Sequence, residues 1–302
     1  MTMAINNLAL CRTSRTFCLA ALSCLLFLSL PALAQPVEAR LPSGIVATAN
    51  YHTGLAARPA VLMLHGFLQT WHSPPMSSLA SNLASRGYTV LSPTMSLNIN
   101  RRNQSMACDA VHTHTMEGEV AEVTFWVNWL NNKGFKDIAL IGFSSTGNIA
   151  ALLYSTHKPN PAIKQVILIS LNPLFADASE RQSLLGTTGT MRPKHSKELE
   201  HVSLGYCKKN FTATLNSYRS YAVYDNSNIL EIIRNTRMPT EIILGSADTI
   251  IPANWPAQIN ALNTHNTLTT IENANHFFDD TSEFDLAETV ENILKNISSK
   301  NP

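Results

Sequence analysis

The sequence predicts an α/β fold in which helices cover both faces of a mostly parallel central sheet. Short apolar segments such as 60–64 and 138–140 alternate along the chain with amphipathic segments such as 119–130. This alternation is typical of parallel sheets, because the chain must cross over between neighbouring parallel strands. The composition, with 45% hydrophobic and 14% charged residues, is that of a globular protein and not of a disordered or collagenous chain.

Local patterns predict the individual elements. Apolar runs predict strands over 44–51, 60–64, 88–92, 137–143, 164–171, 240–245 and 267–272. Amphipathic spacing predicts helices over 76–86, 119–130, 253–262 and 282–296. Gly87 suits the end of the first of these helices, because glycine commonly terminates helices.

The regular alternation stops between about residues 172 and 236. This stretch is polar and contains Gly186, Gly189, Pro193 and Gly205. It is too long for an ordinary loop within a compact domain. We therefore predict an inserted, partly helical cap at about 172–236 within one domain over 35–302.

The first 34 residues have the pattern of a secretory signal peptide. Arg12 and Arg15 precede an apolar stretch over 17–30, and Ala32-Leu33-Ala34 follows it. A basic start, a short apolar core and an Ala-x-Ala end predict cleavage near Ala34. A membrane anchor is the alternative, but the stretch is shorter than the roughly 20 residues that a spanning helix needs.

The predicted leader bears on where the mature chain acts. Leu22-Ser23-Cys24 weakly suggests a lipoprotein signal, although the apolar run continues past Cys24. Export to the periplasm or secretion is the main expectation. No later segment has transmembrane length, so we expect no stable membrane insertion of residues 35–302. The net charge of +1 gives no reason to expect nucleic acid as a partner.

Cys108 and Cys207 are the two cysteines beyond the leader. Two cysteines in an exported protein favour one disulfide, and two free thiols are the alternative. Both follow strand ends on the same side of the sheet, so a bond would tie the cap to the core. Cys108, His112 and His114 also invite comparison with a zinc site, but their spacing is loose and we predict no metal.

The most informative motif is Gly142-Phe143-Ser144-Ser145, which joins an apolar run to a helix-like run. A serine on a sharp strand-to-helix turn, two positions after a glycine, is typical of a nucleophile elbow. The turn exposes the hydroxyl, and the start of the helix directs backbone N–H groups toward it. An ordinary helix N-cap is the alternative role for Ser144.

Two later segments strengthen the elbow assignment. Asp248 and His276 each follow a predicted strand, and the carboxyl ends of such strands are where open α/β sheets place their sites. With the order Ser144, Asp248, His276, the sequence resembles the α/β-hydrolase superfamily from about residue 60 to the end, outside the cap. Asp225 is a rival acid, but it lies in the predicted cap.

The resemblance implies roles for these residues. Ser144 would attack a carbonyl carbon, His276 would move the proton, and Asp248 would orient His276. The backbone N–H groups of Phe67 and Ser145 would form the oxyanion hole, and His65 would brace that loop. No cofactor is implied.

One position departs from the superfamily pattern. The residue two places after the nucleophile is usually small, most often glycine, whereas here it is Thr146 and Gly147 comes next. Ser145 is the alternative nucleophile, but Phe143 would then occupy the position where the turn needs a small residue. Thr146 therefore raises a question about the shape of the turn.

The resemblance implies an exported serine hydrolase that acts on a small-molecule acyl substrate, most simply a carboxylic ester. An amidase or peptidase similar to proline iminopeptidases is an alternative, for which the acids Glu180, Glu198 and Glu200 could bind a free amino group. A non-catalytic binding protein on the same fold is another. Four aromatic residues could line either an acyl pocket or the core: Tyr206, Phe211, Tyr218 and Tyr221.

Overall fold

A computed structural model describes residues 34–157, 159–186, 197–262, 264 and 266–299. The predicted signal peptide, apart from Ala34, lies outside the described residues, as do Gly189 and Pro193. The first strand begins at Gln35, directly after the predicted cleavage position.

Within the described residues, eight strands form one sheet in the order β1-β2-β4-β3-β5-β6-β9-β10. β1 and β2 pair antiparallel, as do β2 and β4, and the other neighbours are parallel. The mostly parallel sheet that the sequence predicts is therefore confirmed. The strands are β1 (Gln35–Arg40), β2 (Val46–His52), β3 (Ala60–Leu64), β4 (Thr89–Thr94), β5 (Ile138–Phe143), β6 (Ile163–Ile169), β9 (Thr240–Gly245) and β10 (Thr267–Ile271).

Helices cover both faces of this sheet. Successive side chains of a strand point to opposite faces, so Leu62 and Val61 of β3 belong to two different hydrophobic clusters. The helices of the main fold are α1 (Met76–Ser85), α2 (Met116–Asn132), α3 (Thr146–Thr156), α7 (Trp255–Asn260) and α8 (Ser282–Ser299). Both faces are apolar because both are buried, which explains the continuous apolar runs in the strands.

The chain between β6 and β9 forms a separate group of elements, which we call the insertion (residues 170–239). It contains α4 (Ala178–Leu185), β7 (Leu199–Leu204), β8 (Cys207–Thr214), α5 (Leu215–Ala222) and α6 (Asn226–Asn235). β7 and β8 form an antiparallel hairpin apart from the main sheet. The sequence predicted a partly helical cap and named no strand in it, so the hairpin is an unpredicted element of this region.

A disulfide between Cys108 and Cys207 joins the loop after β4 to the hairpin, with a Cα–Cα distance of 5.6 Å. The expected disulfide is thus confirmed. Backbone hydrogen bonds support the same junction: His112 N–H donates to Thr212 O at 2.8 Å, and Thr212 N–H donates to Cys108 O at 3.1 Å. Because Cys108 is bonded to sulfur, it has no thiolate to offer a metal.

Among the described helices, none combines the length and the apolar character that crossing a bilayer requires.

Candidate active site

Ser144 lies between the end of β5 and the start of α3 in a left-handed conformation, with φ of 58°. A non-glycine residue in this region is strained, and the surrounding contacts must hold it there. The buried Asn148 side chain contributes: its Nδ2 donates to Ser144 O and, at 2.8 Å, to Ile169 O. Asn148 thereby fastens the elbow to the neighbouring strand β6.

The structure brings Ser144 and two later residues together. Ser144 Oγ lies 2.9 Å from His276 Nε2, and His276 Nδ1 lies 2.7 Å from Asp248 Oδ2. The imidazole is 4% exposed and the Asp248 side chain is fully buried. An ionised carboxylate only accepts hydrogen bonds, so Nδ1 carries the proton and the neutral ring leaves Nε2 free to accept from Ser144.

The acid and the imidazole are each held by the backbone around them. Asp248 follows β9, and its Oδ1 accepts from Ile250 N–H at 2.8 Å. His276 follows β10, and its carbonyl accepts from Ser170 Oγ at 2.7 Å. Asp248 therefore directs its second oxygen to the ring. The side chain of Asp225 instead pairs with Arg181 at 2.7 Å, in the insertion.

Phe67 and Ser145 present unpaired backbone donors beside Ser144. Both residues line the same pocket as Ser144 and His276. Within the described part of the chain, neither N–H group donates to a protein acceptor. Two free donors close to a nucleophilic hydroxyl can stabilise an oxyanion that forms on a carbonyl bound there.

Comparisons with known proteins identify the fold that carries this site. A family model for the alpha/beta hydrolase fold matches residues 59–195, which include the elbow. This match confirms the resemblance to the α/β-hydrolase superfamily over residues 59–195. No curated protein matches the sequence.

Solved structures with a similar fold cover most of this chain. Est1E from Butyrivibrio proteoclasticus has a TM-score of 0.62 and 17% identity, over 88% of this chain and 99% of its own. The α/β hydrolase GrgF from Penicillium sp. sh18 has a TM-score of 0.65 and 13% identity, over 89% and 98%. The Pyrococcus furiosus esterase PF2001 has a TM-score of 0.58 and 16% identity, over 87% and 91%. At these identities the likeness shows the shared fold.

The departure from the superfamily pattern at Thr146 has a structural explanation. A Cβ on Gly142 would lie 2.5 Å from Gly147 O, and a Cβ on Gly147 would lie 2.6 Å from His65 O. The strand, the helix and the loop at His65 therefore approach one another most closely at Gly142 and Gly147, where a Cβ would clash with backbone. Thr146 begins α3 beside this contact, so its side chain does not obstruct the turn.

His65 is hydrogen-bonded within the loop that carries Phe67. Burial, aided by the charge of Arg102, lowers the pKa of His65 to about 3, so the ring is neutral. Its Nε2 accepts from Met95 N–H at 3.0 Å and from Arg102 Nη2 at 3.2 Å. Nδ1 must then carry the proton and donates to Gly66 O at 2.8 Å.

Arg102 is a supporting residue that sequence reasoning missed. It is 4% exposed, and its guanidinium donates to Gln69 O at 2.7 Å and Met95 O at 2.6 Å besides His65. Burial lowers its pKa to about 10, against the opposing charges of Glu119 and Glu122, so the side chain stays charged at neutral pH. These hydrogen bonds from Arg102 hold the loop of residues 65–69 in place.

The pocket over Ser144 has a volume of ≈ 390 Å³ and mostly apolar walls. Four aromatic side chains contribute to these walls: Phe67, Phe175, Tyr206 and Phe277. Of the aromatic residues that the sequence left open between pocket and core, Tyr206 lines the pocket. Three are buried in the core: Phe211, Tyr218 and Tyr221.

Asn172 is a second residue that sequence reasoning missed. It follows β6 and lines the pocket, and its Oδ1 lies 3.2 Å from Ser144 Oγ. A polar residue after a strand end is a weak signal by itself, because such residues are common in turns. Its position beside the hydroxyl comes from the pairing of β5 and β6.

Proposed function

We propose that this protein is a serine hydrolase that cleaves carboxylic esters through an acyl-serine intermediate. The observation that carries the proposal is the pair of distances at His276, 2.9 Å to Ser144 Oγ and 2.7 Å to Asp248 Oδ2. A serine hydroxyl is a poor nucleophile until a neighbouring base can take its proton. Here the base is present and is oriented by a carboxylate.

The proposed reaction has two halves. Ser144 Oγ attacks the ester carbonyl while His276 Nε2 takes its proton, and the imidazolium then protonates the departing alkoxide. A water molecule, deprotonated by the same nitrogen, attacks the acyl-serine and releases the acid. Asp248 stays ionised throughout and stabilises the imidazolium.

The oxyanion of each tetrahedral intermediate would be bound by the N–H groups of Phe67 and Ser145. One such donor is typically worth about 3 kcal/mol in the transition state. His65 and Arg102 contribute by keeping the loop of Phe67 in place before substrate arrives. This preorganisation matters because donors that must first move lose part of their effect.

An ester is favoured over a peptide with a free amino terminus. Binding an ammonium group requires a carboxylate, and none of the 21 acidic residues, all of them described, lines the pocket. Glu180, which the sequence offered for this role, accepts from Ser203 N–H at 2.6 Å within the insertion. The similar fold of PF2001, which is named as an esterase, is consistent with the ester proposal.

We also propose that the protein acts after export, as the leader pattern and the disulfide together suggest. A disulfide persists in oxidising compartments and is rare in the cytosol. The N-terminal sequence of the mature protein from its native host tests this directly. Retention of residues 1–34 would contradict it.

A fluorophosphonate probe and a panel of p-nitrophenyl esters test the catalytic proposal. Wild-type protein should be labelled at Ser144 and should hydrolyse at least one ester from acetate to palmitate. Ser144→Ala should do neither, while Ser145→Ala, its matched neighbour, should still be labelled because only its backbone N–H is required. Folded wild-type protein without labelling or turnover would indicate a binding protein.

A further inference from the structure

Lys208 contributes the one ammonium group among the described residues that line the pocket over Ser144. Among the described residues that line it, the remaining side chains are apolar, aromatic, hydroxyl, amide or imidazole groups. The carboxylate of Asp248 is fully buried behind His276 and does not face the pocket. Lys208 is therefore the cationic side chain that a ligand in the pocket can contact directly.

Lys208 has no counter-ion of its own. All acidic residues belong to the described residues, and none forms an ion pair with it. One candidate is Asp177, which lines an adjoining groove with Lys208 and Lys209. Hydrogen bonds from Ser179 and from Glu180 N–H hold the pKa of Asp177 low, and the charge of Lys209 acts in the same direction. Asp177 is thus engaged with its helix and with Lys209.

The hairpin positions Lys208 at the pocket. Cys207, directly before it, is 1% exposed and bonded to Cys108, so this end of β8 is anchored to the core loop. Between the pairs Val202–Phe211 and Leu204–Cys207 the register shifts, so that Ser203 faces the bulge 208–210. A bulge of this kind redirects side chains at the edge of a site.

An uncompensated cation beside apolar walls attracts anions, since walls of low dielectric constant concentrate its field. Two exposed apolar side chains, Phe175 and Tyr206, lie on the same wall. A ligand that fits this wall has an apolar body and one negative charge. A ligand with a free ammonium group would be repelled.

We propose that the pocket selects esters that carry a carboxylate, and that Lys208 Nζ binds this carboxylate while Ser144 meets the ester carbonyl. The inference rests on the proposed hydrolase function and narrows its substrate class. Lys208 is a specificity-determining residue in this assignment. It takes no part in proton transfer, which remains with His276.

Two pairs of esters test the assignment. Mono-p-nitrophenyl glutarate and its methyl ester differ by one charge in the acyl part, and 4-acetoxybenzoate and its methyl ester differ by one charge in the alcohol part. In at least one pair, wild-type kcat/KM should favour the anion. Lys208→Met should lower this preference by up to about fivefold, the upper end of what an exposed ion pair supplies. Added salt should lower it in the wild type.

Lys209→Met is the matched control, because it removes the same charge from the next residue of the hairpin. It should leave the anion preference of both pairs as in the wild type. The inference is overturned if the wild type shows no preference for either anion, or if the two variants reduce the preference equally.

A binding measurement separates this inference from the catalytic proposal. Monomethyl glutarate and dimethyl glutarate can be titrated into Ser144→Ala by NMR, where no turnover occurs. Tighter binding of the monoester, lost in Ser144→Ala/Lys208→Met, supports the anion site even if Ser144 proves not to be a nucleophile. Equal affinity for both esters in Ser144→Ala overturns the anion site, whatever the wild type hydrolyses.

Discussion

Arg102 Nη2 lies 3.2 Å from His65 Nε2, and the same nitrogen donates to Gln69 O at 2.7 Å. One buried guanidinium thus holds both ends of the loop that presents Phe67 N–H to the pocket. Lysine cannot reproduce this arrangement, because the guanidinium holds several N–H donors in one rigid plane, whereas the lysine ammonium group is a single nitrogen at the end of a flexible chain.

Arg102→Lys should therefore lower kcat for ester hydrolysis by about tenfold. In free energy this is roughly half of the cost of losing one oxyanion donor. KM should change little, because the pocket walls remain. The measurement is steady-state kinetics well below the melting temperature. Arg101→Lys is the control, since Arg101 is exposed and pairs with Glu38. Equal kcat in the two variants would contradict a positioning role.

The choice between the two candidate acids has a direct test. Asp248→Asn should lower kcat by about 10⁴-fold, because an amide in place of the carboxylate favours the wrong imidazole tautomer. Asp225→Asn should keep wild-type kcat, and asparagine can still cap α6, where Asp225 Oδ1 accepts from Asn228 N–H at 3.1 Å. Loss of activity in Asp225→Asn alone would reverse the assignment.

Gly147→Ala should destabilise the elbow, because the new Cβ would meet backbone atoms of His65 and Leu64 at 2.6 and 2.7 Å. Backbone cannot rotate away as a side chain can, so we expect a loss of about 1–3 kcal/mol in the free energy of unfolding and a lower kcat. Thr146→Ala is the control and should keep its activity. Urea unfolding and esterase assays measure both. A tolerated Gly147→Ala would mean that the loop can shift.

Much of the fold was predictable because its central strands are buried on both faces. Ala60–Leu64 and Thr240–Gly245 match their predicted limits, since continuous apolar runs end where the chain leaves the core. β1 was missed, because its residues are largely exposed and its strand conformation depends on pairing with β2. An edge strand of this kind carries no apolar signal of its own.

The hairpin of the insertion was missed for a related reason. The bulge at 208–210 interrupts the alternation of β8, and the strand is stabilised by β7 and by the Cys108–Cys207 bond. The proposed site residues, by contrast, stand in short motifs at strand ends and could be named in advance. Arg102 could not, because an arginine in a polar loop looks solvated until the tertiary fold buries it.

The disulfide should stabilise the protein strongly. It closes a sequence separation of 99 residues, for which loop-closure entropy predicts about 4–5 kcal/mol. Cys108→Ser/Cys207→Ser should lose stability of that order in urea unfolding. Dithiothreitol should lower the wild type to the same value and leave the double variant unchanged. A wild type that is indifferent to reductant would show that the bond contributes little.

Glu119 of α2 and Tyr221 of the insertion, whose side-chain oxygens are 2.5 Å apart, belong to a hydrogen-bonded chain that continues to His114 and His112. The chain ends where His112 Nε2 lies 3.1 Å from Ala107 O. Since a carbonyl only accepts, His112 Nε2 donates there. When both imidazole rings are neutral, His112 Nδ1 has to accept a hydrogen bond from His114 Nε2. His114 Nδ1 then has to accept one from the hydroxyl of Tyr221. Every bond is satisfied when Glu119 is protonated and donates to Tyr221.

The electrostatics agree with a protonated Glu119, because burial, with the charge of Glu122, raises its pKa to about 7. A folded pKa above the ordinary value of 4.5 means that the folded state holds the proton more tightly. Protonated Glu119 therefore makes its full contribution to the free energy of unfolding below about pH 4.5. This contribution falls as the pH rises to about 7, and the total loss is about 3 kcal/mol.

Glu119→Gln should remove this loss, because the amide stays neutral. Its free energy of unfolding relative to the wild type should rise between pH 5 and pH 8 by up to about 3 kcal/mol, measured by urea unfolding across that range. Glu117→Gln is the control: it removes the same charge from an exposed position in the same turn, and its difference from the wild type should stay flat. A flat difference for Glu119→Gln as well would mean that Glu119 is ionised in the folded protein, with Tyr221 donating to it.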